Sequence, residues 1–185
     1  MSRQQSSALA IVIAIVVADL ATKSWALRAL GDGRQIEWLG GLVPLTLAFN
    51  RGAAFGLTIG DDPRWIFVPI TLVAIVFLTA LIVRSGPGDW LRTIASALVL
   101  GGALGNLYDR VRWNQGVVDF IGPIDLGFML WPIFNVADMA ITTGAILLAI
   151  ALWGEDQRER AAAASEEGGE AAASGRGQSA RSSTT

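Results

Sequence analysis

The chain has 185 residues, 52% hydrophobic and 16% charged, with a net charge of −2 and a mean hydropathy of +0.49; soluble domains carry roughly 25% charged residues. It contains no histidine and no cysteine, which excludes a Ser-His-Asp triad, a Cys-His pair, a His/Cys zinc site and a disulfide framework. Charge is concentrated in the connections and after Gly154, leaving long uncharged runs, the pattern of an integral membrane protein.

Four segments are apolar enough to span a bilayer as helices, which takes about 20 residues. The first covers about residues 8–30. Arg3 ahead of a short apolar run also fits a cleaved signal peptide, but the run continues past Lys23 to Trp25 and Leu27 and no small-x-small site closes it. Asp19 and Lys23 lie four apart with the acid first, the favourable order for an ion pair on a retained helix. The connection over 31–64 is rich in β-branched, aromatic and glycine residues at about 35–57, which predicts short strands. The second span, 65–83, has no charge at all. After a tight polar turn, the third covers about 90–108, with Arg92 near its start and Gly101, Gly102 and Gly105 near its end. A longer loop carrying Asp119 leads to the fourth, about 134–153, with Asp138 in its first turns. Residues 155–185 are rich in Ala, Ser, Gly and charge, and predict a disordered tail with at most a short helical start.

Counting crossings puts the end of the first helix, the end of the third and the start of the fourth on one membrane face. The unusual polar residues all fall there: Asp19, Lys23, Asn50, Arg51, Asn106, Asp109, Arg110, Asp119, Asn135 and Asp138. A site at one membrane boundary follows. Lys and Arg counts near the span ends leave its side of the membrane open.

Asp119 and Asp138 are the leading candidates for chemistry. The bland reading makes Asp138 a helix N-terminal acid and Asp119 an ordinary loop acid. The functional reading is a carboxylate pair at the bilayer edge, where burial and mutual repulsion keep one group protonated and the other available as base. Such a pair activates water against an amide without His, Cys or metal. Asn106 and Arg110 end a glycine-rich helix, either as a cap or as donors to a substrate backbone. Asn50 and Gly52 open a segment with little side-chain bulk, either a turn or a surface for an extended peptide. A Lys23–Ser24 dyad is disfavoured, because adjacent helical residues point about 100° apart.

Asp19-x-x-x-Lys23, Asn50-x-Gly-Ala-Ala-Phe55, Gly102-x-x-Gly-Asn106-x-x-Asp-Arg110, Val117-Val-Asp-Phe120 and Phe134-Asn-x-Ala-Asp138 together resemble lipoprotein signal peptidase (signal peptidase II), in order from about residue 10 to 153. The stretch Arg-Val-Arg-Trp-Asn-Gln-Gly-Val-Val-Asp to Asp119 is one residue longer than the pattern of many members. The resemblance implies an all-α membrane protein of four transmembrane helices with a small extracytoplasmic β-rich cradle. It implies a bacterial membrane aspartic endopeptidase that cleaves the signal peptide from diacylglyceryl-modified prolipoproteins, just before the lipidated cysteine. Asp119 and Asp138 would be catalytic, supported by Asp19, Lys23, Asn50, Gly52, Asn106, Asp109, Arg110 and Asn135. The implied partners are the prolipoprotein, membrane lipid and globomycin-type inhibitors, with no nucleic acid, cofactor or metal, and a monomeric chain. The site would lie at the outer face of the cytoplasmic membrane, with both termini and the tail cytoplasmic. Two rivals read the same residues differently. A proton-coupled transporter would use the acids as a relay, but it predicts carboxylates near mid-bilayer. A non-catalytic lipopeptide chaperone would not need both aspartates.

Overall fold

The computed structural model describes residues 1–52, 62 and 64–182. The elements in chain order are α1 (Arg3–Ala29), β1 (Ile36–Trp38), β2 (Val43–Asn50), α2 (Arg64–Arg84), α3 (Trp90–Arg112), β3 (Val117–Ile121), β4 (Ile124–Asp125), β5 (Leu130–Trp131) and α4 (Val136–Ser182). The fold is mostly helical with two small sheets, as the expected helical class with a small β-rich part requires. Residues 53–57 of the expected β-rich stretch lie outside the described residues.

Helix α1 begins before the apolar run because Ser2 and Gln5 form a reciprocal capping box, which satisfies two of the orphan N–H groups of the first turn. Three helical stretches are long and apolar enough to cross a membrane: α1, α2 and Val136–Arg158 of α4. Helix α3 is less apolar because it is the most enclosed. It packs against both α1 and α2 and buries Ala95, Ala97, Leu100, Gly101, Gly102, Ala103 and Gly105. A Cβ on Gly102 would collide with the Ala137 carbonyl, and one on Gly144 would come within 2.8 Å of the Ala95 carbonyl. Small residues therefore bring α3 and the first turns of α4 into backbone contact. A helix wrapped by helices need not present apolar side chains to lipid.

Asp119 sits in a strand where a loop was expected. Strand β3 completes an antiparallel sheet in the order β1-β2-β3, with Ala48 opposite Asp119 and Asn50 opposite Val117. Its sequence Val-Val-Asp-Phe-Ile has the β-branched and aromatic character of a strand, but that run is too short to separate strand from buried loop without the partner. Phe120 then docks the sheet on the end of α1, packing with Ala26 and Leu30 and meeting the Trp25 ring edge-on at 6.2 Å. Neighbouring residues on a strand point to opposite faces, so anchoring Phe120 directs Asp119 to the other side of the sheet.

Chain contacts divide the molecule after Leu148, and the second unit is Ala149–Thr185. The disordered tail expected after Gly154 is replaced by helix through Ser182. Its abundant Ala, Glu and Arg are strong helix formers, which outweighs the scattered glycines in the local backbone preference.

Candidate active site

Four elements converge on the two aspartates. Asn135 precedes α4, and Asp138 is the third helical residue. The Asn135 side-chain oxygen accepts the Asp138 N–H at 2.9 Å, and Asp138 Oδ2 accepts the Asn135 N–H at 3.2 Å. This reciprocal cap uses one carboxylate oxygen of Asp138 and leaves Oδ1 to accept from the Asn106 amide at 2.8 Å. The bland reading of Asp138 as a helix-start acid is therefore structurally correct, and it coexists with the second role.

The Asn135 side-chain amide donates to Asp119 Oδ1 at 2.6 Å, with longer approaches to Asn106 Oδ1 at 3.1 Å and to the Val118 carbonyl at 3.3 Å. One asparagine thus bridges the two carboxylates. Asn50, opposite Val117 in the sheet, lowers the Asp119 carboxyl, and its side-chain oxygen accepts the Gly52 N–H at 2.8 Å. Gly52 has φ +97°, where a Cβ is strained, and that Cβ would strike the Phe67 ring.

Asp119 is 2% exposed. Burial, with the Asp138 charge next in weight, pushes its carboxyl up to about 7 against the smaller opposing effects of Asn50, Asn135 and Lys23. Asp138 is half-buried and opens on an apolar groove of about 590 Å³ walled by Trp131, Phe134, Met139 and Thr142. One carboxylate is enclosed by amides, and the other faces a space large enough for a substrate chain.

Beneath the pair lies a charged layer with no water access. Lys23, 2% exposed, is ion-paired to Asp19 at 2.7 Å and to Asp109 at 3.0 Å. It also donates to Asn106 Oδ1 at 2.9 Å. A lysine ammonium can only donate, so it fixes the Asn106 oxygen towards itself and the Asn106 NH₂ towards Asp138. Asp19 Oδ1 accepts the Ala137 N–H at 2.9 Å, and Asp109 Oδ2 accepts the Val118 N–H at 3.2 Å. Each acid therefore holds the backbone beside one of the candidate aspartates.

Arg110 is set to one side. It reaches the Asn106 carbonyl at 3.4 Å, lies 5.3 Å over the Phe67 ring and borders a small polar pocket of about 130 Å³ with Asn50 and Arg64. All ten candidate residues are joined directly or through one neighbour. The backbone contacts of Val118 and Ala137, the small Gly105 beside Asp19 and the Phe67 ring were not identified as site components from the sequence. Gly105 had a signal in its Gly-x-x-Gly spacing, read only as packing: a Cβ there would lie 2.5 Å from Asp19 Oδ2. The other three carry none, because a backbone N–H looks alike at every position and Phe67 stands in an uncharged run. Among the described residues, no group of three or more acidic side chains is arranged to hold a metal ion.

Fold and site together define a helical membrane protein with one buried and one half-buried carboxylate at one end of its helices. The Signal peptidase (SPase) II family model matches residues 11–154. The lipoprotein signal peptidase of Ectopseudomonas mendocina is 41% identical over 158 residues, covering 84% of this chain and 92% of that protein. That of Halothermothrix orenii is 35% identical over 147 residues, covering 80% and 95%. A bacterial membrane enzyme solved by the in meso method at 2.3 Å superposes with a TM-score of 0.72 at 30% identity, covering 83% of this chain and 91% of that one. The chain belongs to the signal peptidase II family and is a bacterial membrane peptidase.

Proposed function

We propose that this chain removes the signal peptide from prolipoproteins as an aspartic endopeptidase, with Asp119 and Asp138 acting together on one water. Family membership carries the peptidase activity and the prolipoprotein substrate. The observation that favours aspartic chemistry is the bridging of the two carboxylates by Asn135, its side-chain amide on Asp119 and its backbone N–H on Asp138, with Asp119 pushed up to about 7. A pair sharing one proton suits the reaction. The ionised group takes a proton from water as its oxygen attacks the scissile carbonyl. The protonated group then supplies a proton as the C–N bond breaks and the amine leaves. The two titrate as a unit, so the roles belong to the pair. The test is cleavage of a diacylglyceryl-modified prolipoprotein by Asp119→Asn and Asp138→Asn proteins.

The finer features form one consistent picture. Helix α3, at 23 residues, is about 35 Å long and forms a fourth crossing sheltered by the others. The carboxylates then lie at the extracytoplasmic face, and both chain ends are cytoplasmic. The apolar groove beside Asp138 suits a lipid-modified segment entering from the bilayer, with scission just before the diacylglyceryl cysteine. Globomycin-type lipopeptides would compete there, and one chain is sufficient for the site.

The singly protonated pair is lost as pH rises through the upper value, so kcat/KM is expected to fall above about pH 7. A flat profile between pH 6 and 9 would contradict the shared proton. The family match ends at residue 154, and none of the ten candidate residues lies beyond it. Protein truncated after Gly154 is therefore expected to retain full cleavage activity; a loss in membrane-inserted truncated protein would give the tail a catalytic role.

A further inference from the structure

The end of the helices remote from the carboxylates carries two adjoining concavities that the peptidase chemistry does not use. One, about 340 Å³, lies over the α2–α3 turn and is edged by Arg3, Gln4, Gln5, Ser85 and Trp90. The other, about 560 Å³, is an apolar furrow between α1 and α2 floored by α3, with Leu9, Val12, Ile75, Ile82 and Leu104 among its walls. Gln5 lines both, so they form a continuous polar-to-apolar path.

The polar end offers one exposed cation and one unpartnered amide, since Ser85 Oγ already donates to the Leu81 carbonyl and Gln5 Nε2 to the Val83 carbonyl. Arg3 is exposed there. Gln4 is 8% exposed, and its side-chain nitrogen is buried with no acceptor among the described residues. The nearby acid, Asp89, is engaged by Arg92 at 2.5 Å and by the Gly86 N–H at 2.8 Å, so its charge is matched. Trp90, 41% exposed, is the amphipathic ring expected at the headgroup level of a bilayer.

We infer that this is a binding site for an anionic phospholipid, in the leaflet opposite the carboxylate pair. Its phosphate lies beside Arg3 and Gln4, and one acyl chain lies along the furrow. Charge complementarity selects this occupant over a zwitterionic lipid. The inference rests on the reading that the helices span the bilayer.

The full chain is titrated in detergent with phosphatidylglycerol and with phosphatidylcholine of the same acyl chains, and bound lipid is counted by native mass spectrometry. Phosphatidylglycerol is expected to bind about fivefold more tightly, the effect of one basic side chain at an anionic surface. Arg3→Gln removes that preference and leaves phosphatidylcholine binding unchanged. Thr79→Trp, placed on an exposed position of the furrow wall, weakens both lipids. Equal affinities in the wild type, a preference surviving Arg3→Gln, or undiminished binding to Thr79→Trp would each overturn the site. Prolipoprotein cleavage is measured on the same samples. Intact cleavage without lipid preference rejects the lipid site alone, whereas absent wild-type cleavage rejects the peptidase reading.

Discussion

Asp119→Asn protein is expected to lose prolipoprotein cleavage by about 10³-fold while becoming more stable above pH 7. The loss follows from removing one member of a proton-sharing pair, since a positioned acid or base contributes about 10²–10⁴ in rate. The gain follows from linkage. The folded state holds the Asp119 proton up to about pH 7, against an ordinary value of 3.8. Wild-type stability therefore declines from near pH 4 to near pH 7, as the folded protein comes to bear an ionised, buried carboxylate beside Asp138. Asparagine does not titrate and still offers an oxygen to Asn135. The stability difference in its favour should open across that window and level off above it, at about 1–3 kcal/mol after discounting for relaxation. Thermal unfolding at pH 5 and pH 8, paired with a cleavage assay, reads both effects. A purely structural carboxylate would cost activity only through unfolding, so a variant whose folded fraction cleaves at the wild-type rate would refute the catalytic assignment. Asp138→Asn should lose a similar factor in rate. Its stability change also includes the cap shared with Asn135, which makes Asp119 the cleaner measurement.

Lys23→Met is expected to destabilise the protein by about 3–5 kcal/mol, because it strands Asp19 and Asp109 as buried charges without a counter-ion. It also releases the Asn106 amide, whose oxygen is held by the ammonium and whose NH₂ serves Asp138. Activity should therefore fall even in the fraction that stays folded. The triple variant Lys23→Met, Asp19→Asn, Asp109→Asn removes the stranded charges and keeps oxygens for the Ala137 and Val118 N–H groups. It should recover most of the stability but not the activity. Wild-type unfolding temperature in the single variant would show that the ion-paired layer does not hold the site together.

Much of this was legible along the chain because the bilayer imposes simple rules. Span lengths identified α1, α2 and the start of α4, and the pairing of Asp19 with Lys23 followed from a spacing of four. The strand containing Asp119 was missed because sheet pairing is decided by distant partners; β2 and β3 are separated by α2 and α3. The tail was misread because charge and glycine content argue against a packed core without opposing local helix. Asn106 and Asn135 were picked out as polar residues near a membrane boundary, Asn106 as a cap or a donor to substrate and Asn135 as a supporting residue. In the structure the Asn106 amide holds Asp138 and the Asn135 amide holds Asp119, while the Asn135 backbone N–H reaches the second oxygen of Asp138.

The sequence by itself determined which chemistry was available: no histidine, no cysteine, and Asp19, Asp109, Asp119 and Asp138 gathered at one end of the apolar spans. It determined that a site would form at that end, because charge is expelled from the hydrocarbon unless paired. Only the tertiary structure decided how the two aspartates differ. Asp119 is enclosed by β3 and two asparagines and pushed up to about 7, whereas Asp138 caps α4 and faces an open groove. That difference depends on desolvation and on hydrogen bonds between residues far apart in the chain, and neither is a property of any short stretch of it.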